Sequence, residues 1–258
     1  FTFMNLEALP YLGGIVSFFS MILSAFSGGG GSLILLMSLL GFTESSYLAA
    51  LTLSKIAAAV VTGTASFLHI KKDKYKLDKK VLGVMFFGSL FGISIATYLV
   101  QYQLDESFVI SLLPFIMFSI GLYLIWNKKK GLGIEKPKPV TKRLLGEIFA
   151  FFFLTNIING LSGGFGIIFG SFMVIHMRIS FIHAIAYGMV SGFLVHLMQS
   201  IYLTTVVDLN YTLAIFIIIG AFLGGYVGTK LQSLKGNLWV KNVALLVMFG
   251  IGIRMLIF

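Results

Sequence analysis

The chain has 258 residues, of which 58% are apolar and only 11% are charged, a composition far outside the range of soluble domains of this length. Its formal net charge is +10, but the basic residues concentrate in two short stretches, residues 71–80 and 128–143. That distribution is typical of loops between membrane helices rather than of a nucleic-acid-binding surface. The absence of cysteine excludes disulfides, thiolate metal sites and cysteine nucleophiles.

Apolar segments with few charged residues follow one another along the whole chain. Ten are predicted, at residues 8–27, 30–42, 46–69, 81–103, 107–127, 144–162, 165–177, 180–206, 210–231 and 239–257. Most are long enough to cross a bilayer, and backbone groups in lipid must bond within their own segment, so these segments should be helices. The sequence therefore predicts an all-α, polytopic transmembrane bundle. Residues 1–127 and 144–258 form its halves, joined by a basic linker at residues 128–143.

The two halves resemble each other in sequence. The glycine run at residues 27–31 recurs at residues 162–166, each time between a first segment and a short second one. Gly88 and Gly92 in the fourth segment match Gly220 and Gly224 in the ninth, and we interpret both Gly-x-x-x-Gly pairs as close helix contacts. Several matches in the same order indicate an internal duplication.

The loop charges predict that the two halves are inserted in opposite orientations. The loop after segment three is rich in lysine, whereas its counterpart after segment eight carries Asp208 and no base. The loop after segment four holds Asp105 and Glu106, whereas the region after segment nine holds lysines. We therefore expect two inverted-topology repeats, with loops 71–80 and 128–143 cytoplasmic and both termini outside.

The second segment of each half is too short to cross the membrane. About thirteen residues of helix span about 20 Å, less than the roughly 30 Å hydrocarbon core. The glycine junction before each short helix should then lie inside the membrane, where free N–H groups at a helix start attract an anion. The alternative is that the glycines only allow tight helix packing. Candidate substrate contacts here are Ser27, Gly28, Gly29, Gly30, Ser162, Gly163 and Gly164.

Lys55 is a basic residue near the centre of a long apolar segment. A charge there is costly unless it is paired or hydrated, which makes Lys55 a candidate ligand for an anion. Thr52 shares its helical face, and we include both residues in the predicted site. The alternative is that Lys55 extends to a lipid headgroup.

The second half contributes different polar residues. Asn159, Tyr187 and Ser191 are further candidates for substrate binding, and His196 with Gln199 for a proton relay. Buried asparagines, histidines and glutamines in membrane helices more often only donate a hydrogen bond to a neighbouring helix, and for each such residue alone that explanation is favoured. Neither a metal nor a cofactor is expected, because the histidines are dispersed and lack carboxylate or thiolate neighbours.

The duplicated glycine loops, the short second segments and the stretch Ala49-Ala50-Leu51-Thr52-Leu53-Ser54 give the chain a resemblance to the sulfite exporter TauE/SafE family. The resemblance covers nearly the whole length, although the proline that many members carry after the glycines is absent at residues 33–38 and 168–173. It implies export of a small sulfur-containing anion, such as sulfite or an organosulfonate like sulfoacetate, by alternating access.

Other functions are open at this point. A permease or channel for another small anion fits the same pattern. An intramembrane enzyme using Ser191 or Ser162 with His196 fits poorly, because the sequence has no His-Glu-x-x-His helix and no carboxylate near the middle of a membrane segment to orient the histidine, and we do not expect catalysis. The expected partners are a small anion and the lipid bilayer. Monomer and homodimer are both compatible with the sequence.

Overall fold

The computed structural model describes residues 8–42, 46–71, 76–101, 107–162 and 166–257, and within these ranges the regular structure is entirely helical. The first half contains α1 (Leu9–Ser27), α2 (Gly31–Phe42), α3 (Tyr47–Lys71), α4 (Lys79–Gln101) and α5 (Ser107–Trp126). The second half contains α6 (Lys142–Ser162), α7 (Gly166–Met177), α8 (Phe181–Val206), α9 (Tyr211–Lys235) and α10 (Asn237–Ile257). Each helix coincides with one predicted segment to within a few residues, so the all-α bundle is confirmed.

The helices have the length and composition of a multi-pass membrane protein. In the described ranges, seven of them are long and apolar enough to cross a bilayer, namely α1, α3, α4, α6, α8, α9 and α10. The helices α2 and α7 have 12 residues each, about 18 Å of helix, and stop short of a full crossing. Large apolar side chains such as Phe19, Phe91 and Phe222 are exposed on the outside of the bundle, where lipid would cover them.

Glycines make the sharp turn between α1 and α2. Gly28, Gly29 and Gly30 all have positive φ angles, a conformation that side chains other than glycine rarely adopt. A Cβ at Gly31 would collide with the backbone carbonyl of Ser20, so the start of α2 lies directly against α1. The short helix therefore folds back along α1 and forms a hairpin within the bundle.

Two long helix pairs form the sides of the bundle through close glycine contacts. Along α9, Gly220, Gly224 and Gly228 lie against the backbone of α1, while Gly88 and Gly92 of α4 lie against α6. This confirms the interpretation of these glycines as packing positions. Because each pair joins the first helix of one half to the fourth helix of the other, the two pairs are equivalent by the repeat. The helices α3 and α8 pack against each other between them.

Both basic loops contact the amino-terminal end of α8. In the linker, the Gly131 carbonyl accepts a hydrogen bond from Phe181 N at 2.8 Å. In the loop before α4, Asp78 N donates to the Tyr187 hydroxyl oxygen at 2.6 Å. Lys241 of α10 also holds the linker, because its Nζ donates to the carbonyl oxygens of Asn127, Lys128 and Lys130. The two loops therefore lie at the same end of the bundle.

Candidate functional site

A small cavity lies at the centre of the bundle, beside the two glycine junctions. The centre of a water molecule can occupy about 40 Å³ of it, which is room for about three waters or a small ion. Its walls come from α1, α2, α3, α6, α7 and α8. The lining residues are Ser24, Gly28, Gly29, Ser32, Ala58, Val61, Thr62, Asn159, Gly166, Phe169, Gly188, Met189 and His196.

The two glycine junctions touch at this cavity. A Cβ on Gly29 would overlap the backbone of Gly166 and Ile167, and a Cβ on Gly166 would overlap the carbonyl oxygen of Gly28. Gly166 is also the first residue of α7, as Gly31 is of α2. The amino-terminal ends of both short helices are therefore brought to the same place.

The cavity offers hydrogen-bond donors and no negative charge. The first N–H groups of a helix have no partner within the helix, and the helix dipole makes this end electropositive. The hydroxyl groups of Ser24, Ser32 and Thr62 add further polar lining. In the described part of the chain no Asp or Glu lines the cavity. Such a site is suited to an anion rather than to a cation.

Lys55 is fully buried beside the site but does not line the cavity. Its Nζ donates a hydrogen bond of 2.6 Å to the backbone carbonyl oxygen of Asn159, in the last turn of α6. The side chain therefore does not extend to the membrane surface. Because Asn159 lines the cavity, the Lys55 amino group lies immediately behind the cavity wall.

The other carbonyls in the last turn of α6 are also satisfied by side chains. Gln199 Nε2 donates to Gly160 O at 3.3 Å, and the Tyr47 hydroxyl donates to Leu161 O at 2.5 Å. At the end of α1, Gln232 Nε2 donates to the carbonyls of Ala25 and Phe26. Helix ends inside a membrane need such partners, and α6 differs from α1 in having a cation among them.

A chain of amides continues from Asn159 into the bundle. Asn159 Nδ2 donates to Asn156 Oδ1 at 3.0 Å, and Asn156 Nδ2 donates to Ser89 Oγ at 2.9 Å. Ser89 belongs to α4, so this chain ties α4 to α6. The side chain of Asn159 is thereby fixed in the cavity wall.

His196 borders the cavity from α8. Its Nδ1 is buried and has no hydrogen-bond partner within the described residues. It lies near Thr62 of α3 across Gly192. An unpartnered polar atom facing a cavity is a natural contact for water or a ligand. A relay between His196 and Gln199 stays a prediction.

The structure brings some of the predicted site residues to the cavity and leaves others away from it. Gly28, Gly29, Asn159 and His196 line it. Away from the lining, the buried hydroxyls of Thr52 and Ser191 donate to backbone carbonyls one turn earlier in their helices, and the Ser27 hydroxyl donates to Leu23 O and Gly29 O.

Several remaining predictions lie elsewhere or outside the description. Gly30 follows Gly29 in the turn, and the Tyr187 hydroxyl is occupied by Asp78 N at the loop end of the bundle. Gly163, Gly164 and the side chain of Ser162 fall outside the described residues.

The sequence prediction missed Ser24, Ser32 and Gly188 as lining residues, and it left Thr62 out of the site. Ser24 lies four residues before Gly28, one helical turn along α1, a spacing that could have indicated it. Thr62 belongs to the polar stripe that contains Lys55.

Comparisons with known proteins agree on a membrane transport role. The chain matches the family described as Sulfite exporter TauE/SafE over residues 13–255. It is 27% identical over 237 residues to a probable membrane transporter protein of Haemophilus influenzae, covering 91% of this chain and 89% of that protein. No solved structure matches it.

Proposed function

The chain belongs to the sulfite exporter TauE/SafE family of membrane transporters, and from that premise we propose that it exports a small sulfur-containing anion, sulfite or a small organosulfonate, through the central cavity. The observation that carries this proposal is the meeting of two helix amino-termini at a cavity whose described lining has no acidic side chain. Electropositive N–H groups and hydroxyls there would replace the hydration shell of the anion.

Lys55 supplies the charge that makes the site selective for anions. A fully buried ammonium group bound to one neutral carbonyl carries a net positive charge in a low-dielectric region. An anion in the cavity would neutralise that charge across the wall formed by Asn159. The opposite half has Val190 at the matching position, so the charge favours one side of the site.

We propose alternating access between two inverted repeats as the transport mechanism. The pairing of α1 with α9 and of α4 with α6 supports a two-fold relation between the halves, because an exchange of the two halves converts one pair into the other. Of the Lys and Arg residues, all except Lys55 and Arg254 fall in the two basic loops, at Arg178 or near the junction of α9 and α10. The positive-inside rule then places that end of the bundle in the cytoplasm and both termini outside.

The size of the cavity favours the smaller members of this substrate class. Room for about three waters admits the oxygens of a single sulfite ion, whereas sulfoacetate needs the cavity to enlarge. A channel or permease for another small anion is the second candidate, since N–H groups and hydroxyls also bind other oxyanions.

The experiment that tests the proposal is counterflow in proteoliposomes containing the purified protein. Labelled sulfite is taken up against internal sulfite, a short organosulfonate or a carboxylate of the same length. We expect exchange with sulfite, weaker exchange with the sulfonate and none with the carboxylate. Equal exchange with the carboxylate would support a general anion carrier, and absence of exchange with every anion would refute the proposal.

A further inference from the structure

A second cavity, of about 360 Å³, opens as a groove between the carboxy-terminal halves of α4 and α8. Unlike the wholly apolar groove between α1 and α9, it contains polar side chains. Its lining residues are Leu90, Ile93, Ser94, Thr97, Tyr98, Met198, Gln199 and Tyr202. Its surface is mainly apolar, but polar side chains at membrane depth are costly unless they meet water, a ligand or another polar group.

Gln199 separates this groove from the central cavity. It follows His196 by one helical turn on α8, so the same face of α8 borders first the cavity and then the groove. Its Nε2 bonds to Gly160 O of α6 and, at 3.4 Å, to Thr97 Oγ1 of α4. Gly160 directly follows Asn159 of the cavity wall. Gln199 therefore lies between the two spaces, beside the close contact of Gly160 with Ala96 of α4.

The Gln199 side chain is not fully satisfied in that position. Its Oε1 is buried and has no hydrogen-bond partner among the described residues. A buried acceptor without a partner favours rearrangement when water or a polar ligand arrives. The Gln199 side chain is therefore held by two long hydrogen bonds, which favours its displacement.

The matching interface in the other half is closed. By the internal repeat, Ile93 of α4 corresponds to Gly225 of α9, and His196 and Gln199 correspond to Val61 and Thr64 of α3. Gly225 lies so close to α3 that a Cβ would be 3.3 Å from Val61 Cα and 3.4 Å from Thr64 Cβ. The helices α3 and α9 thus touch where α4 and α8 leave a groove. In an inverted-repeat transporter, each state has one of the two equivalent interfaces open and the other closed. The open α4–α8 interface and the closed α3–α9 interface fit this asymmetry.

We propose that the groove between α4 and α8 is the outer vestibule for the small anion, and that Gln199 is the barrier between this vestibule and the central cavity. The proposal rests on the proposed anion transport. It assigns the vestibule to the end of the bundle opposite the basic loops, because α4 and α8 both run away from those loops. In the opposite state, separation of α3 from α9 would open the inner route.

Single cysteines test the vestibule directly, because the chain contains no cysteine of its own. Ser94→Cys places a thiol in the groove, and Ile219→Cys places one in the apolar groove between α1 and α9 as the matched control. Each variant in right-side-out vesicles is treated with a membrane-impermeant maleimide, and the excess is removed before sulfite flux is measured. We expect Ser94→Cys to react and lose at least tenfold in flux, and Ile219→Cys to remain unreactive.

A second measurement tests Gln199 as the barrier. Thr62→Cys lies in the central cavity, and we expect external maleimide to reach it at least tenfold faster when Gln199→Ala is added. These rates are read from labelling and do not require flux. If the unmodified protein does not transport sulfite, the proposed function is refuted but the labelling test of the vestibule still stands. An unreactive Ser94→Cys, labelling there without loss of flux, or an unchanged rate at Thr62→Cys would overturn the vestibule.

Discussion

The Lys55 ammonium group donates a 2.6 Å hydrogen bond to the backbone carbonyl of Asn159 and so joins the centre of α3 to the last turn of α6. This contact has two consequences. It satisfies a carbonyl at a helix end inside the membrane, and it leaves a positive charge beside the cavity. A substitution of Lys55, compared with a suitable control, distinguishes the structural role of the hydrogen bond from the role of the charge in anion binding.

Lys55→Met should impair anion binding more than folding. We expect the sulfite concentration at half-maximal flux to rise by at least tenfold, since loss of the charge removes an attraction of more than about 1.4 kcal/mol. The unsatisfied carbonyl should lower stability by about 1–3 kcal/mol. Flux in proteoliposomes and thermal unfolding in detergent measure the two effects.

Lys241→Met is the matched control for this variant. Lys241 also donates to backbone carbonyls after a helix, those of Asn127, Lys128 and Lys130, but it lies at the loop end of the bundle. The control should lose stability and keep the sulfite concentration at half-maximal flux. If the sulfite concentration at half-maximal flux rose equally in both variants, Lys55 would act only by stabilising the fold.

Gly29→Ala should abolish transport. Gly29 has a φ of 149° and faces the backbone of Gly166 and Ile167, so a methyl group strains the turn and forces the junctions apart. We expect flux below a tenth of the wild-type value at equal amounts of reconstituted protein. Gly83→Ala, in a helix position with open space, should keep wild-type flux. Wild-type flux in Gly29→Ala would mean that the contact between the junctions is dispensable.

The fold was predictable because lipid imposes simple rules on sequence. All ten helices followed from the spacing of charges and glycines, since a membrane helix must be long, apolar and uninterrupted. The packing role of Gly88 and Gly220 likewise followed from their spacing within one helix. Information of this kind is local to each segment.

The site was only partly predictable because it depends on contacts between distant segments. The partner of Lys55 lies more than one hundred positions away in α6, and nothing in the pattern around Lys55 indicates it. Tyr187 was predicted at the site, but its hydroxyl is bound to Asp78 in a loop. Ser32 lines the cavity only because α2 folds back along α1.

His196→Gln should weaken the dependence of flux on the pH difference across the membrane. Among the described lining residues His196 is the titratable one, which makes its ring the candidate carrier of a proton that accompanies the anion. We expect wild-type sulfite flux to respond to an imposed pH gradient and the variant to respond less than half as strongly. His176→Gln, which affects a histidine bound to Glu147 at the end of α7, is the control. An unchanged response in His196→Gln would exclude this route.

Gly225→Ile should hold the transporter in the opposite state. The matching residue in the other half is Ile93, which accompanies an open groove, so an isoleucine at position 225 should push α3 away from α9. If the two interfaces open alternately, the outer groove must then close. We expect at least a tenfold loss of sulfite flux and an equally large slowing of external maleimide labelling at Ser94→Cys. Gly250→Ile, at a position with open space around it, should alter neither quantity. The contrary outcome is a loss of flux with an unchanged labelling rate at Ser94→Cys. The groove between α4 and α8 would then stay open while α3 separates from α9, which would show that the two interfaces move independently.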